Sequence, residues 1–413
     1  MRDYDVIGFL RAEFGLAIAA RNTVRSLRAS GREVREVILD PARPRSLAVV
    51  TPTNLSARAT PPVALFHLNP VGISLFEGSW SPIAPRYSHS ACVPFWELPL
   101  VPLAWVPLLR AMDAILAPTR FIQSACARVV PPERVIHYPQ AVFPAGGITP
   151  DRARWTLAPD ALVFIVSFDV GSDTERKNPL GAIEAFQRAF PGVGDVQLVI
   201  KTRPAGGVRE FEVQIEAIRT RARGDPRIRV VEASLPYLDV LQLYASCDVM
   251  VSLHRSEGLG LHLMEAMSLG KVVVATNWSG NSDFMTERNS VPVGHRLVPA
   301  VGRHPDYAPE VGRPGQVWAE PDVDEAAAIL AALRSDAARR ARIGEAAAFD
   351  MEARRRQVSD GKAFVELERV LAAAPGSLTA MADALRASRW NLRRVRLRGF
   401  LGCIGRRLAG RPW

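Results

Sequence analysis

Residues 249–284 read VMVSLHRSEGLGLHLMEAMSLGKVVVATNWSGNSDF, and the rest of the chain is organised around them. Val249 to Leu253 is a short apolar run of the kind buried in a parallel sheet. Ser256-Glu257-Gly258-Leu259-Gly260 follows, with two glycines that let backbone approach a ligand where a helix begins. The spacing predicts a helix over Leu261–Ser268, a left-handed stop at Gly270, and a second buried strand over Val272–Thr276. Glu257 lies in the loop and Glu265 in the helix. Helical side chains lean toward the N-terminus, so Glu265 is aimed back at the glycine loop. A ligand over the helix start would meet backbone N–H groups at a phosphate and carboxylates at its hydroxyls. Without the neighbouring residues, the same pattern describes an ordinary βαβ unit with one exposed glutamate and one capping glutamate.

Ser256 to Leu261, Glu265-Ala266-Met267, Gly270-Lys271, Val273 to Thr276 and Ser279-Gly280-Asn281 together resemble the donor-site signature of glycosyltransferase family 4. That resemblance implies the GT-B fold, two Rossmann-like α/β domains facing across a cleft, and a retaining, nucleotide-sugar-dependent reaction. It implies Glu257 at the sugar, Glu265 at the ribose, and Gly258, Leu259, Gly260, Ser279, Gly280 and Asn281 around the donor. Further segments are similar to a bacterial polysaccharide-synthesis subset: Trp96-Glu97-Leu98-Pro99, Arg176-Lys177-Asn178-Pro179 ahead of a helix expected over 180–190, and Trp318-Ala319-Glu320-Pro321-Asp322, expected to cap a helix over 325–333. Through it Arg176 and Lys177 become candidates to neutralise a diphosphate leaving group. Phe168-Asp169 stands where the wider family has an arginine, so Lys177 is the better match of the two.

At 413 residues the chain is long enough for two cores, and 48% hydrophobic with 23% charged residues is a globular composition. No apolar run reaches the length of a membrane span, and Met1 to Asp5 enters a strand without the features of a signal peptide. Four cysteines (92, 126, 247, 403) lie far apart, which suggests reduced thiols and no zinc site. The expectation is a cytoplasmic protein that needs no cofactor and no metal.

Working outward, Tyr4–Phe9 reads as a first strand and Leu16–Ser30 as a helix, and the resemblance implies that Gly15, in the loop between them, approaches the donor phosphates. Arg21 either shares that site or is solvated. Strands follow at 33–39, 63–68, 91–96, 114–117 and 135–138. His67 closes one strand and Glu97 follows another, and the resemblance makes both acceptor-side candidates. The organisation expected is 1–150 for the acceptor-side domain, 151–345 for the donor-side domain, 346–375 for crossover helices and 376–413 for a basic amphipathic tail. In the second domain strands are expected at 162–168, 196–201 and 227–232, and a helix over Tyr237–Ser246. Residues 290–293 and 297–300 are expected to form a last strand pair. Lys201 either faces the cleft or simply ends its strand.

Net charge is +10, and nine arginines between Arg386 and Arg411 account for nine of it, so the body carries only +1. Interleaved with Trp390, Leu397, Phe400, Leu401, Ile404 and Leu408, they describe a helix drawn to an anionic membrane surface. The near-neutral body disfavours nucleic acid as a partner. The reaction expected is hexosyl transfer, plausibly from a mannosyl-type donor, from a nucleoside-diphosphate sugar to a glycan or lipid-linked acceptor in cell-envelope polysaccharide synthesis. The rivals are a phosphorylase of the same fold, a GT-B protein that binds without catalysis, and nucleic-acid binding through the tail.

Overall fold

The structure, a computed structural model, describes residues 1–40, 47–50, 61–143, 146–302, 304, 306–376 and 381. The basic stretch 386–413 therefore lies outside the described residues. Contacts divide the chain into two units, one of residues 1–143, 305–316 and 355–413, the other of residues 144–304 and 317–354.

The first unit contains β1 (Tyr4–Gly8), β2 (Val34–Leu39), β3 (Leu47–Val50), β4 (Val63–Phe66), β5 (His89–Cys92), β6 (Ala114–Ala117) and β7 (Val135–His137). They form one sheet in the order β3-β2-β1-β4-β5-β6-β7, parallel except where β3 runs against β2. The sequence reading did not anticipate β3. β4 and β6 are buried along their whole length, which is why they read as continuous apolar runs rather than alternating ones; β1 is equally buried, with Asp5 paired to Arg35. The helix Gly15–Ala29 follows β1, and Lys362–Ala372 closes the unit. In that last helix Phe364 packs on Tyr138, their ring centroids 5.2 Å apart, and Glu368 pairs with buried Arg32 at 2.8 Å.

The second unit has β8 (Leu162–Ser167), β9 (Val196–Thr202), β10 (Ile228–Glu232), β11 (Val249–Ser252), β12 (Val272–Thr276) and β13 (Val291–Val293). All are parallel in the order β10-β9-β8-β11-β12-β13, the doubly wound arrangement in which the chain reverses direction across the sheet between β8 and β11. Phe164, Val166, Leu198, Ile200, Val251 and Val274 face one core, shared with the helices Pro179–Ala189, Arg209–Arg223 and Val323–Ser335. The alternate residues Val163, Ile165, Val199, Met250 and Val273 are equally buried, so both faces of the sheet are covered.

Two local expectations are corrected. Residues 290–293 and 297–300 do not pair with each other: β13 joins β12 in parallel, while β14 (His295–Pro299) pairs antiparallel with β15 (Val317–Pro321). A single residue, Gly294, separates β13 from β14, too short a link for them to lie side by side, and its N–H bonds the Glu325 carboxylate at 2.6 Å. Trp318-Ala319-Glu320-Pro321 is thus a strand rather than a cap. Only Asp322 caps the helix behind it, accepting from the Glu325 N–H at 2.9 Å. Among the described residues no helix is long and apolar enough to cross a membrane.

Candidate active site

Ligands of doubly wound sheets gather at the carboxyl ends of the strands where the order reverses. Here those are β8 and β11, and the loops leaving them are 168–178 and 253–260.

Gly260 has φ +81°, a left-handed conformation that favours glycine, and the helix Leu261–Ser268 starts from it. Gly270, at φ +69°, turns the chain out of that helix and donates its N–H to the Met267 carbonyl. The loop before the helix rests on residues 278–281. The Glu257 N–H donates to Ser279 Oγ at 2.8 Å, and the Gly280 N–H donates to the Glu257 carbonyl at 2.8 Å. The two backbones touch so closely that a Cβ on Gly280 would stand 2.1 Å from the Gly258 carbonyl oxygen.

The Glu257 side chain is buried, and it accepts a hydrogen bond from Lys177 Nζ. Arg176 Nη1 lies 3.6 Å from its other oxygen. Burial works against ionisation, but the charges of Lys177 and then Arg176 overcome it and hold the carboxyl well below the usual carboxylate range. Arg176 is also a brace. Its Nη1 donates to the Ser256 carbonyl and its Nη2 to the Ser172 carbonyl, both at 2.7 Å, stitching the loop after β8 to the loop after β11. Arg176 and Lys177 lie in a short helix, Thr174–Lys177, directly ahead of the helix Pro179–Ala189, and Asp173 caps the short one from φ +71°.

Sequence reasoning missed His254. It is fully buried, with Nδ1 3.0 Å from Ser252 Oγ and Nε2 3.0 Å from Asn281 Oδ1. The Asn281 amide nitrogen donates to the Thr276 carbonyl at 2.9 Å, so Oδ1 is the atom turned to the ring. Nε2 then carries the proton, and Nδ1 accepts from the serine. Burial, the largest influence, keeps the imidazole neutral. Asn281, expected around the donor, thus spends its amide inside the protein and fixes the loop that supports Glu257. The signal available was the position of His254 immediately after an all-apolar strand. His262 is partly exposed in the first turn of the helix, and burial together with Lys177 pushes its pKa down to about 3.

Glu265 is 4% exposed and its Oε1 has no hydrogen-bond partner. Burial raises its pKa to about 8, against smaller opposing effects of the Tyr237 hydroxyl and the Lys201 ammonium. A buried carboxyl with an unused oxygen is the acceptor that a ligand hydroxyl would satisfy.

In the first unit Gly15 opens the helix after β1, with nothing within 4 Å of where a Cβ would stand. His67 follows β4, the neighbour of β1, and its backbone N–H donates to the Ile7 carbonyl at 2.9 Å. The ring is 1% exposed, lies 5.4 Å from that of Phe95, and has both nitrogens without a hydrogen-bond partner. Burial pushes its pKa down to about 3. Glu97 accepts from the Tyr307 hydroxyl at 2.7 Å, beneath Trp96 stacked on the same tyrosine ring. Arg21 serves neither of its expected roles. It donates to the Leu10 and Ala12 carbonyls at 2.9 and 2.7 Å and ties down the loop ahead of its own helix. Thus Arg176, Lys177, Glu257, Gly258, Leu259, Gly260, Glu265, Ser279, Gly280 and Asn281 belong to one unit, and Gly15, His67 and Glu97 to the other.

Comparison with known proteins places this site in context. Residues 165–305 match the family model described as glycosyl transferases group 1, a span that contains every donor-side candidate except Gly15. A Bordetella petrii glycogen synthase is 24% identical over 237 residues; the chain spans 42% of that relative's length, and the match covers 52% of the chain. Among solved structures, sucrose-phosphate synthase from Thermosynechococcus elongatus aligns with a TM-score of 0.61 at 14% identity, over 90% of this chain and 100% of that one. Anabaena Alr3699/HepE, solved in complex with UDP, aligns with a TM-score of 0.59 at 13% identity, over 88% and 99%. The fold is that of the GT-B proteins, two Rossmann-like α/β units.

Proposed function

We propose that the chain is a retaining glycosyltransferase of family 4 that moves a hexosyl group from a nucleoside-diphosphate sugar to a glycan or lipid-linked glycan. The observation that carries the reading is the buried Glu257–Lys177 pair beside the Gly258–Gly260 loop, at the strand ends where the sheet order reverses. The group 1 match over the same residues supports it, as does the UDP complex of a protein with the same fold.

In this reaction the bond between the anomeric carbon and the diphosphate breaks, leaving negative charge on the diphosphate and positive charge on the ring. Lys177, with Arg176 behind it, stabilises the leaving diphosphate electrostatically, as does the N-terminus of the helix Leu261–Ser268. Glu257 accepts hydrogen bonds from sugar hydroxyls and favours the positive ring. Glu265 accepts from the ribose. The Gly258–Gly260 and Ser279–Gly280 backbones of the second unit line the donor, with Asn281 fixing the latter, and Gly15 is assigned to the donor phosphates. The acceptor oxygen bonds to the anomeric carbon on the face the diphosphate leaves, and its proton passes to the departing phosphate oxygen. No protein base is required, and no metal enters the scheme. His67 and Glu97 are assigned to the acceptor side.

Within that reading we place a mannosyl-type donor, a role in cell-envelope polysaccharide synthesis, and residence at the cytoplasmic face of a membrane held through 386–413. Incubating the protein with UDP-, GDP- and ADP-hexoses and following free nucleoside diphosphate tests the reaction. One donor should turn over, the product should keep the donor's anomeric configuration by NMR, and Glu257→Gln should abolish it. Inversion, or no turnover with any donor and acceptor glycan, would refute it. Deleting 386–413 should lower binding to vesicles containing anionic phospholipid without changing turnover of a soluble acceptor.

A further inference from the structure

Strand parity sets Lys201 apart. In β9, Leu198 and Ile200 face the core shared with the helix Pro179–Ala189, so Val199 and Lys201 point to the opposite face. Lys201 stands beside Ser167 of β8 in register. Ser167 accepts from the Tyr244 hydroxyl at 2.7 Å, so the helix Tyr237–Ser246 covers that face. Glu265 lies within electrostatic reach of both Tyr244 and Lys201, and the Tyr237 hydroxyl bonds to it. Four elements therefore converge on one spot at the carboxyl edge of the sheet. They are the ends of β8 and β9 and the two helices bearing Tyr237 and Glu265.

Two features of the spot point to a ligand. The Lys201 side chain is 8% exposed, and it makes no hydrogen bond to Glu265 although each feels the other's charge. Oε1 of Glu265 is buried and unpartnered. An ammonium can only donate and a carboxylate can only accept. The group that satisfies both at once is one that donates and accepts at neighbouring atoms, as the vicinal hydroxyls of a ribose do. β9 is also the second strand of the doubly wound order, whose end reads ribose in dinucleotide-binding folds.

We propose that Lys201 is a specificity residue for the nucleotide sugar: it donates to a ribose hydroxyl whose neighbour donates to Glu265, so that the pair selects ribonucleotides over deoxyribonucleotides. The inference rests on the transferase reading, because it takes the ligand to be a nucleoside diphosphate. Burial and then Arg203 lower the Lys201 pKa from its usual value, with Asp169 and Glu265 opposing them, so a hydrogen-bond acceptor brought by a ligand would favour the ammonium.

The test is isothermal titration of the full chain with UDP and GDP, then with the 2′-deoxy and 3′-deoxy forms of whichever binds tighter. The wild type should prefer the ribonucleotide to at least one deoxy form by tenfold or more. Lys201→Met should weaken the ribonucleotide by a similar factor and that deoxy form by less than twofold. Lys201→Gln, which keeps an N–H donor, should restore part of the discrimination and guards against a variant that fails through misfolding. Equal losses on ribo- and deoxynucleotides, or no loss, would overturn the assignment while leaving the transferase reading intact. Wild-type protein that binds no nucleoside diphosphate, ADP included, would overturn the transferase reading itself.

Discussion

Replacing Glu265 by glutamine should make this protein more stable and less able to bind a nucleotide. Burial raises the carboxyl from 4.5 to about 8, so at pH 7 the folded protein holds a proton there that the unfolded chain has released. Stability from such a group is complete below pH 4.5 and drains away as pH rises towards 8, because the unfolded state binds fewer protons. At about 1.36 kcal/mol per pKa unit, the 2.5 units between 4.5 and pH 7 correspond to a deficit on the order of 3 kcal/mol. Glutamine has the shape of the protonated acid and does not titrate. Glu265→Gln should therefore melt roughly 6 °C or more above the wild type at pH 7, taking about 2–4 °C per kcal/mol for a domain of this size. At pH 4.5 the two should melt together. Differential scanning calorimetry across pH 4.5 to 8.5 measures the gap directly. A constant gap, or a variant less stable at pH 7, would refute the argument that Glu265 is a strained acid kept for a ligand.

Other predictions follow from neighbouring geometry. If ribose hydroxyls bind the ionised Glu265, each unit of pH below 8 should weaken nucleoside diphosphate binding by up to about tenfold, levelling off above 8; titration at pH 6, 7 and 8 checks it. Lys177→Met strands the buried Glu257 carboxylate and should destabilise the fold by about 3 kcal/mol in denaturant, whereas adding Glu257→Gln to that variant should recover most of the loss. Gly280→Ala forces a Cβ to within 2.1 Å of the Gly258 carbonyl and should cost about 1–3 kcal/mol. Because the displaced loop carries Glu257, its turnover should fall further than its melting temperature alone explains. His254→Leu removes the donor to Asn281 and should lower kcat, while His254→Gln, which keeps an N–H donor, should retain more of it.

Much of the fold was legible because its strands are short and buried on both faces. The helices Tyr237–Ser246 and Leu261–Ser268 and the strand Val272–Thr276 have the bounds their sequence predicts. What escaped was pairing. Nothing in Leu297 to Ala300 says that its partner is Val317–Pro321, twenty residues on, because an antiparallel ladder is set by the loop geometry between the strands rather than by composition. At the site, residue types were legible but duties were not. Arg176 reads as a phosphate ligand, yet its geometry binds two loops together. Asn281 reads as a ligand contact, yet its amide is consumed by His254 and Thr276. Hydrogen-bond accounts close only in three dimensions, so a polar residue's spare capacity is invisible in a string of letters.

The turn at Gly270 meets one further glycine. A Cβ on Gly344, in the helix Ala337–Ser359, would lie 2.2 Å from the Gly270 carbonyl oxygen, so the backbones of that helix and of the turn behind Glu265 are in direct contact. Position 344 lies outside the stretch shared with the family model and far from any candidate contact in the sequence. A mutational survey should nevertheless count it among the least forgiving sites of the second unit. Its exposed neighbour Glu345 should accept nearly any residue. The tolerance of this protein to inherited change is thus set partly by a spot far in the sequence from every candidate contact.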